Sequence, residues 1–257
     1  MKYPIACRPG CYDMSLAETA AELKKLGVFN LEVNLPADDS YEPIVQSVKK
    51  LGVNITSFSA GLTVGDQASY EKLRKAIEAA GKYAVGVIFT AVSLPETVSF
   101  EKGIDELKTL GALAAAAGTV LSVETHVPYG HNGDAALKTM MLVASPGVGY
   151  NYDTANVYFY NDKGTDGVAE LRKAAKYVTS VHLKESAKGE PESFEFPVLG
   201  TGIVKFPEVF RILEENGFRG PCTLELEGPL VDGLPVPERS KKIKACLDYL
   251  RSIGVTD

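Results

Sequence analysis

Hydrophobic and polar positions follow two alternating patterns along the whole chain. Short apolar runs, rich in β-branched and aromatic residues, are followed by Gly, Asn, Asp or Pro and then by apolar residues at every third or fourth position. The first pattern is typical of buried parallel strands, and the second of amphipathic helices. Strands are predicted at 3–7, 29–33, 54–59, 85–91, 120–125, 148–153, 178–183 and 222–227. Helices are predicted at 15–26, 41–51, 70–83, 100–117, 134–143, 167–176, 206–216 and 237–252.

These strand–helix units predict the fold class. Regular alternation implies a parallel sheet with right-handed crossovers, which leaves a closed barrel or an open doubly wound sheet. Eight units in 257 residues favour an α/β (β/α)₈ TIM barrel, and the turn after the first strand lacks the G-x-G-x-x-G of a dinucleotide-binding open sheet. No linker or compositional break divides the chain, so we expect a single barrel domain over residues 1–257.

Composition narrows the function classes. The formal charge of −6, from 27 Lys and Arg against 33 Asp and Glu, argues against a nucleic-acid or anionic-membrane partner. The four cysteines form no C-x-x-C pair, which favours small buried thiols in a reducing compartment. No apolar run has the length of a signal peptide or of a membrane span. We therefore expect a cytoplasmic protein without a membrane or nucleic-acid partner.

The last four predicted strands each carry an acid or a histidine near their end: Glu124, Asp153, His182 and Glu225. Carboxyl ends of parallel strands share one edge, so these side chains should meet at the barrel mouth. Any one of them alone would be explained as a helix cap or a satisfied core histidine, but four at consecutive strand ends favour metal ligation. Three carboxylates and one imidazole suit one divalent ion, either Mn²⁺, Mg²⁺, Co²⁺ or Zn²⁺.

Side chains nearer to solvent are expected to contact the substrate. Strand residues alternate faces, so His126, Lys184 and Glu227 should point inward, one layer above the proposed ligands. Asn156 should reach over the same opening from the loop after the sixth strand. For Lys184, an ion pair with Glu225 or Glu227 is an equal alternative to a hydrogen bond with a substrate oxygen.

Three further features of the sequence each have two possible interpretations. Glu32, at the end of the second strand, is either a supporting or substrate-side acid or a structural residue. The aromatic residues 158–160 either wall a sugar pocket or pack within their loop. The loop 185–204 is long for a strand–helix connection, so it predicts either a lid over the mouth or a contact between subunits.

Four motifs resemble one known family. YDTAN (152–156), HLKE (182–185), LGTG (199–202) and NGFRGPCTLELE (216–227) resemble the xylose isomerase-like TIM barrels, the sugar phosphate isomerase/epimerase superfamily. The resemblance covers roughly the last 140 residues, and the first half shares only the rhythm and the FNLEV of the second strand. It implies that Glu124, Asp153, His182 and Glu225 hold one divalent metal. It also favours Glu225 over Glu227, because the family ligand follows the Gly of R-G-P by five residues.

Three positions depart from the family pattern. Thr201 stands where the usual G-E-G has Glu, and Asn156 stands where many ketose 3-epimerases have a substrate-contacting histidine. Glu185 replaces the commoner Asp after HLK. The first two departures weaken a plain ketose-epimerase interpretation.

The resemblance and the ligand set together predict a function. We expect a metal-dependent isomerase or epimerase that acts on a ketose or related keto sugar through a cis-enediolate, with Glu124 and Glu225 moving the proton. The alternative is a metal-dependent lyase or dehydratase of inosose or 3-keto-sugar type. A non-catalytic sugar-binding barrel ranks below both, and the superfamily's trinuclear zinc nucleases need more histidines than the three present. Many relatives form homodimers or homotetramers, and both assemblies are open for this chain.

Overall fold

The chain folds into a closed barrel of parallel strands. The computed structural model describes residues 2–36 and 40–256. The barrel strands are β1 (Ile5–Cys7), β2 (Asn30–Asn34), β3 (Asn54–Ser59), β4 (Val87–Thr90), β5 (Val120–Glu124), β6 (Val148–Asp153), β7 (Val178–Leu183) and β8 (Cys222–Leu224). They follow one another around the barrel in chain order, and β8 closes onto β1. The predicted (β/α)₈ fold is confirmed.

A long helix follows each strand. These helices are α1 (Leu16–Lys25), α2 (Tyr41–Lys50), α3 (Gln67–Tyr83), α4 (Phe100–Ala117), α5 (Gly133–Val143), α6 (Gly167–Ala174), α7 (Phe206–Glu215) and α8 (Val236–Ser252). Several begin at a side chain that accepts a hydrogen bond from an unpaired amide of the first turn: Ser15, Asp66, Ser99, Asn132 and Asp166. These caps explain why the helices begin close to their predicted starts.

Three local features differ from the sequence prediction. β8 ends at Leu224, earlier than the predicted 227, because the chain turns into a short 3₁₀ segment at Gly228–Leu230. A one-turn helix, Asn156–Phe159, follows β6. Beyond β3 and β4, the two-residue strands Leu62–Thr63 and Val92–Ser93 pair in parallel and extend that side of the mouth.

The barrel wall is apolar outside and polar inside. Side chains such as Leu121 and Val123 are buried between strands and helices. The alternate residues point inward and bond to each other: Asn151 donates to Ser180 Oγ over 2.7 Å, and Ser180 donates to Ser122 Oγ over 2.7 Å. This hydrogen-bonded layer forms a polar floor beneath the mouth.

The strand register carries the next inward residues to the same level. Asp153 lies opposite His182 in the β6–β7 pair, and His182 lies opposite Thr223 in the β7–β8 pair. Glu124 is the last residue of β5 and Glu225 directly follows β8, so both lie at the rim of the barrel. Across the part of the chain that is described, no helix is both long and apolar enough to cross a bilayer.

Candidate metal centre

Four side chains from consecutive strand ends converge at the barrel mouth. Glu124, Asp153, His182 and Glu225 are all buried, and each offers one ligand-type atom within 4.8 Å of the others. These are the residues that the sequence predicts as metal ligands. We call them the four-residue cluster.

The carboxylates of Asp153 and Glu124 are each held by neighbours on one side. Asp153 Oδ1 accepts hydrogen bonds from the backbone amides of Ala155 and Asn156, at 2.8 and 2.9 Å. Glu124 Oε1 accepts one from the Asn156 side-chain amide at 3.2 Å. The start of the one-turn helix after β6 therefore fixes both carboxylates, because its cap residue Ala155 and its first residue Asn156 supply all three donors.

Glu32 orients the imidazole of His182. The His182 Nε2 atom lies 3.0 Å from Glu32 Oε1, and both side chains are buried. The carboxylate partner favours a proton on Nε2, so that in the neutral imidazole the Nδ1 lone pair would face the cluster. The ring is also stacked on Phe89, with centroids 4.3 Å apart. Glu32 thus lies behind His182, which is the position of a supporting acid, one of the roles considered for it from the sequence.

Arg8 holds the fourth member of the cluster, and the sequence prediction missed it. Its Nη1 donates to Glu225 Oε1, and its Nε lies 3.4 Å from Glu32 Oε1. The second terminal nitrogen donates to Asn34 Oδ1 and Ser59 Oγ, each at 3.2 Å. Arg8 directly follows β1, so a strand-end criterion extended from acids and histidines to arginines would have selected it.

The inner atoms of three cluster residues lack hydrogen bonds. Among the described residues, Asp153 Oδ2, His182 Nδ1 and Glu225 Oε2 are buried without a hydrogen-bond partner. His182 Nδ1 and Glu225 Oε2 lie 3.2 Å apart. Buried acceptors without hydrogen bonds are costly unless a cation or proton lies among them, and here the Lys184 ammonium, 3.3 Å from Asp153 Oδ2 and 2.7 Å from Glu225 Oε2, meets part of that need. Three carboxylates and one imidazole nitrogen therefore fit a divalent ion at this point.

The two glutamates of the cluster have opposite pKa shifts. Burial, reinforced by the charge of Glu225, raises the pKa of Glu124 to about 8. Burial also disfavours ionised Glu225, but His182, Lys184 and Arg8 outweigh it and hold the pKa of Glu225 well below its usual range. Near neutral pH the cluster therefore contains one protonated and one ionised glutamate.

His182 and Asp153 are shifted by the same surroundings. Burial lowers the pKa of His182, yet the Glu225 and Glu32 carboxylates more than reverse this and raise it to about 10. Burial raises the pKa of Asp153 to about 6 against the opposing Lys184 ammonium. Without a metal, the imidazole thus carries a proton that a metal would have to displace.

Lys184 links the cluster to the layer above it. Its Nζ lies 2.7 Å from Glu227 Oε1 and 3.3 Å from Asn156 Oδ1, both as hydrogen-bond donor. It also lies 2.7 Å from Glu225 Oε2 and 3.3 Å from Asp153 Oδ2, as ion pairs. The ion-pair alternative for Lys184 is thus present, and both Lys184 and Glu227 also line the cavity.

A cavity of about 390 Å³ opens above the cluster. Its lining combines polar side chains with the rings of Phe89, Phe159, Tyr160, Phe194 and Phe196. Of the aromatic residues 158–160, Tyr158 instead packs in the core. His126 is set back from the cavity lining, with its ring 4.6 Å from that of Tyr160, so its contact with substrate stays a prediction.

Comparison with known proteins identifies the family. A family model described as xylose isomerase-like TIM barrel matches residues 20–253. The chain belongs to that family.

Curated and solved relatives of this xylose isomerase-like barrel have several activities. The inosose dehydratase of Clostridium beijerinckii is 29% identical over 138 residues, which cover 48% of this chain and 45% of that enzyme. The match therefore spans about half of each protein. The D-psicose 3-epimerase of Clostridium cellulolyticum H10, solved with D-tagatose, has a TM-score of 0.77 at 16% identity and covers 99% of this chain and 100% of its own. A xylose isomerase-like barrel from Mycobacterium smegmatis in complex with magnesium has a TM-score of 0.77 at 18% identity, with 98% and 97% covered.

Glu185, one of the departures from the family pattern, fastens the long loop of this xylose isomerase-like barrel. One of its carboxylate oxygens accepts hydrogen bonds from the Ser186 and Val204 amides, at 3.0 and 2.9 Å, and the other accepts one from Gly200 at 2.8 Å. The buried carboxylate therefore ties the two ends of the loop 185–204 together. Thr201 donates its hydroxyl to Val198 O over 2.7 Å and closes a turn in the same loop.

Asn156, the remaining departure, joins two parts of the site. Its amide nitrogen donates to Glu124, and its amide oxygen accepts from Lys184. A side-chain amide suits this position because it donates and accepts at the same time.

Proposed function

We propose that the chain is a divalent-metal-dependent isomerase or epimerase of a ketose or related keto sugar. The observation that carries this proposal is the buried cluster itself, in which two glutamates, Glu124 and Glu225, lie together with Asp153 and His182 in a donor set suited to one divalent ion. Two carboxyl groups at one metal-suited site can act as acid and base in one reaction.

The residues divide the chemistry between them. When bound, a divalent ion makes the C–H next to a sugar carbonyl more acidic. Glu225, kept ionised by Arg8, His182 and Lys184, takes that proton and leaves an enediolate. Glu124, which is ionised once it is a metal ligand, takes up a proton from solvent and supplies it to the opposite face of the same carbon in epimerisation, or to the adjacent carbon in isomerisation.

The cavity supplies the other contacts that the reaction needs. Lys184, Asn156 and Glu227 line it beside the cluster and offer donors and acceptors for sugar hydroxyls. The solved epimerase and magnesium-bound barrels named above share the fold and support the metal and the substrate class by analogy.

Proton exchange with solvent tests this proposal. The protein is loaded with Mn²⁺ and incubated with ketoses, inososes and 3-keto-glucosides in D₂O, and loss of the proton next to the carbonyl is followed by NMR. Glu124→Gln and Glu225→Gln should each reduce exchange at least about a hundredfold. Glu106→Gln, which alters a buried acid on α4, is the matched control and should retain it. Exchange retained in both cluster variants would contradict the proposal.

A lyase or dehydratase is the second candidate. Asn156 in place of the epimerase histidine and the similarity to an inosose dehydratase favour it. The first proton removal is the same, but a β-hydroxyl or aglycone then leaves. An ultraviolet-absorbing enone in the same incubations would establish this reaction. Absence of any bound divalent ion in protein purified without chelator would instead favour a non-catalytic barrel.

A further inference from the structure

Four aromatic side chains form a continuous wall on one side of the candidate site. We call Phe159, Tyr160, Phe194 and Phe196 the aromatic wall. The rings meet edge to face: Phe159 is 4.9 Å from Tyr160 and 5.0 Å from Phe194, and Phe194 is 5.9 Å from Phe196. This arrangement is favourable for aromatic pairs and fixes the rings relative to one another.

The wall extends from the charged cluster to the surface. Phe196 is buried, with its ring centre 5.0 Å from Lys184 Nζ. Phe194, one ring further out, is 61% exposed, although it lines the same cavity. An exposed phenylalanine at a cavity rim leaves apolar surface in water that a bound ligand would cover.

Backbone contacts hold the wall in place. The loop after β7 carries Phe194 and Phe196, and its Glu192 amide donates to Phe159 O over 3.0 Å. Lys163 and Glu190 add an ion pair between the two segments, at 2.7 Å. The rim is therefore built before a ligand arrives, which reduces the ordering that binding requires.

The cavity is consequently two-sided. Its inner side presents carboxylates, Arg8, Lys184 and Asn156, which suit the oxygens of a sugar, while its outer side presents ring faces and edges. A volume of about 390 Å³ lies within the range of about 300–1,000 Å³ typical of pockets for drug-sized ligands. A free sugar held at the cluster would place its C–H face against the inner rings and leave Phe194, the outermost ring, in water.

We propose that the aromatic wall is a subsite for a planar apolar substituent, so that the substrate is a sugar carrying an aromatic group. The inference rests on the proposed function, because it places the sugar end of the ligand at the four-residue cluster. The aromatic group would lie against Phe194 and Phe159, where its burial removes apolar surface from water.

Paired glycosides test the subsite directly. Phenyl β-D-glucopyranoside and methyl β-D-glucopyranoside are titrated calorimetrically into the full chain, with and without Mn²⁺. The wild-type protein should bind the phenyl compound about tenfold more tightly, since ring contact and apolar burial both favour it. In Phe194→Ala the affinity ratio should fall to about two or less, and Phe194→Leu should lie between.

A matched control separates the subsite from general hydrophobicity. Phe29, 48% exposed just before β2, lies at the opposite end of the barrel, and Phe29→Ala should leave the ratio unchanged. Equal affinities in the wild-type protein, no binding of either glycoside, or an unchanged ratio in Phe194→Ala would overturn the subsite. A changed particle mass in light scattering together with an unchanged ratio would also overturn it, and would assign Phe194 to a contact between copies of the chain.

The outcomes distinguish this inference from the proposed function. If the wild-type protein prefers the phenyl glycoside, Phe194→Ala loses that preference and no proton exchange occurs in D₂O, the subsite is supported and the isomerase or epimerase is contradicted. Proton exchange on keto sugars, without a preference for the phenyl glycoside, would support the isomerase or epimerase and contradict the subsite.

Discussion

Arg8 is a positioning residue for the cluster. It donates to the outer oxygen of Glu225 and contacts Glu32, which in turn orients His182. One guanidinium thus sets two of the four proposed ligands. Partners of this kind fix ligand geometry and typically affect metal affinity by about 10–100-fold.

Replacing Arg8 should weaken metal binding. In Arg8→Met, Glu225 loses its donor, and we expect the Mn²⁺ dissociation constant to rise about 10–100-fold in calorimetry. Arg8→Lys should be intermediate, because an ammonium lacks the planar fork. Arg74→Met removes an arginine paired with Glu71 on α3 and is the control. An affinity within twofold of wild type would show that Arg8 does not orient Glu225.

Metal uptake should release protons, because ligands bind in their deprotonated forms. His182 and Glu124 have pKa values of about 10 and about 8, so both are protonated at pH 7. Mn²⁺ binding should release about two protons at pH 7 and about one at pH 9, where Glu124 is already ionised. Calorimetry in buffers of different ionisation enthalpy measures this number. In Glu124→Gln it should be about one at both pH values, and pH-independent release in the wild type would contradict the assignment.

At the scale of elements, the loop 185–204 depends on one buried carboxylate. Glu185 accepts the amides of Ser186, Gly200 and Val204, which no other described side chain replaces. A buried amide left without an acceptor costs about 1–3 kcal/mol. The loop carries two of the four rings of the aromatic wall, so its order affects the cavity.

Loss of this carboxylate should open the loop. In Glu185→Ala we expect trypsin to cleave at Lys188 at least about tenfold faster than in the wild type, because opening exposes the segment. Mass spectrometry of the fragments locates the cut. Glu190→Ala, which removes only an exposed ion pair with Lys163, should change the rate little. Equal rates in the Glu185 variant and the wild type would mean that the loop is held by other contacts.

The sequence predicted strands and their ends better than contacts across the barrel. Hydrophobic periodicity located all eight strands, and the strand-end rule selected the side chains that the structure brings together. It missed Arg8, because a lone arginine after a short strand resembles a solvated residue until Glu225 and Glu32 are seen beside it. It left the aromatic wall open, because Phe159 meets Phe194 only through the fold of a loop without periodicity.

At the scale of the molecule, the cluster links stability to pH. The folded state holds protons on His182 and Glu124 more tightly than the unfolded chain, whose values are near 6.5 and 4.5. A raised folded pKa contributes stability that is complete below the unfolded value and is lost as pH rises through the folded value. Between pH 6.5 and 8 each of the two groups therefore lowers the free energy of unfolding by up to about 1.4 kcal/mol per pH unit.

The metal-free protein should therefore melt at a lower temperature at pH 8 than at pH 6.5. Chelator-treated protein is compared by scanning calorimetry at both values, and Glu124→Gln should show a smaller fall because one titrating group is gone. Saturating Mn²⁺ should raise the melting temperature, more at pH 8 than at pH 6.5, since fewer protons oppose binding. A metal-free melting temperature that rises over this interval would contradict the linkage.

The chain-ordered closure of the barrel divides the mouth into two halves. β5 to β8 carry the proposed ligands, while β1 to β4 contribute Arg8, Glu32, Ser59 and Phe89, which aim or cover them. The metal chemistry can thus be held constant while its surroundings are varied. A mutant library at the ends of the first four strands, with Arg8 and Glu32 left unchanged because they set Glu225 and His182, would explore new substrate preferences without discarding the ion, which makes that half of the protein the place to begin redesign.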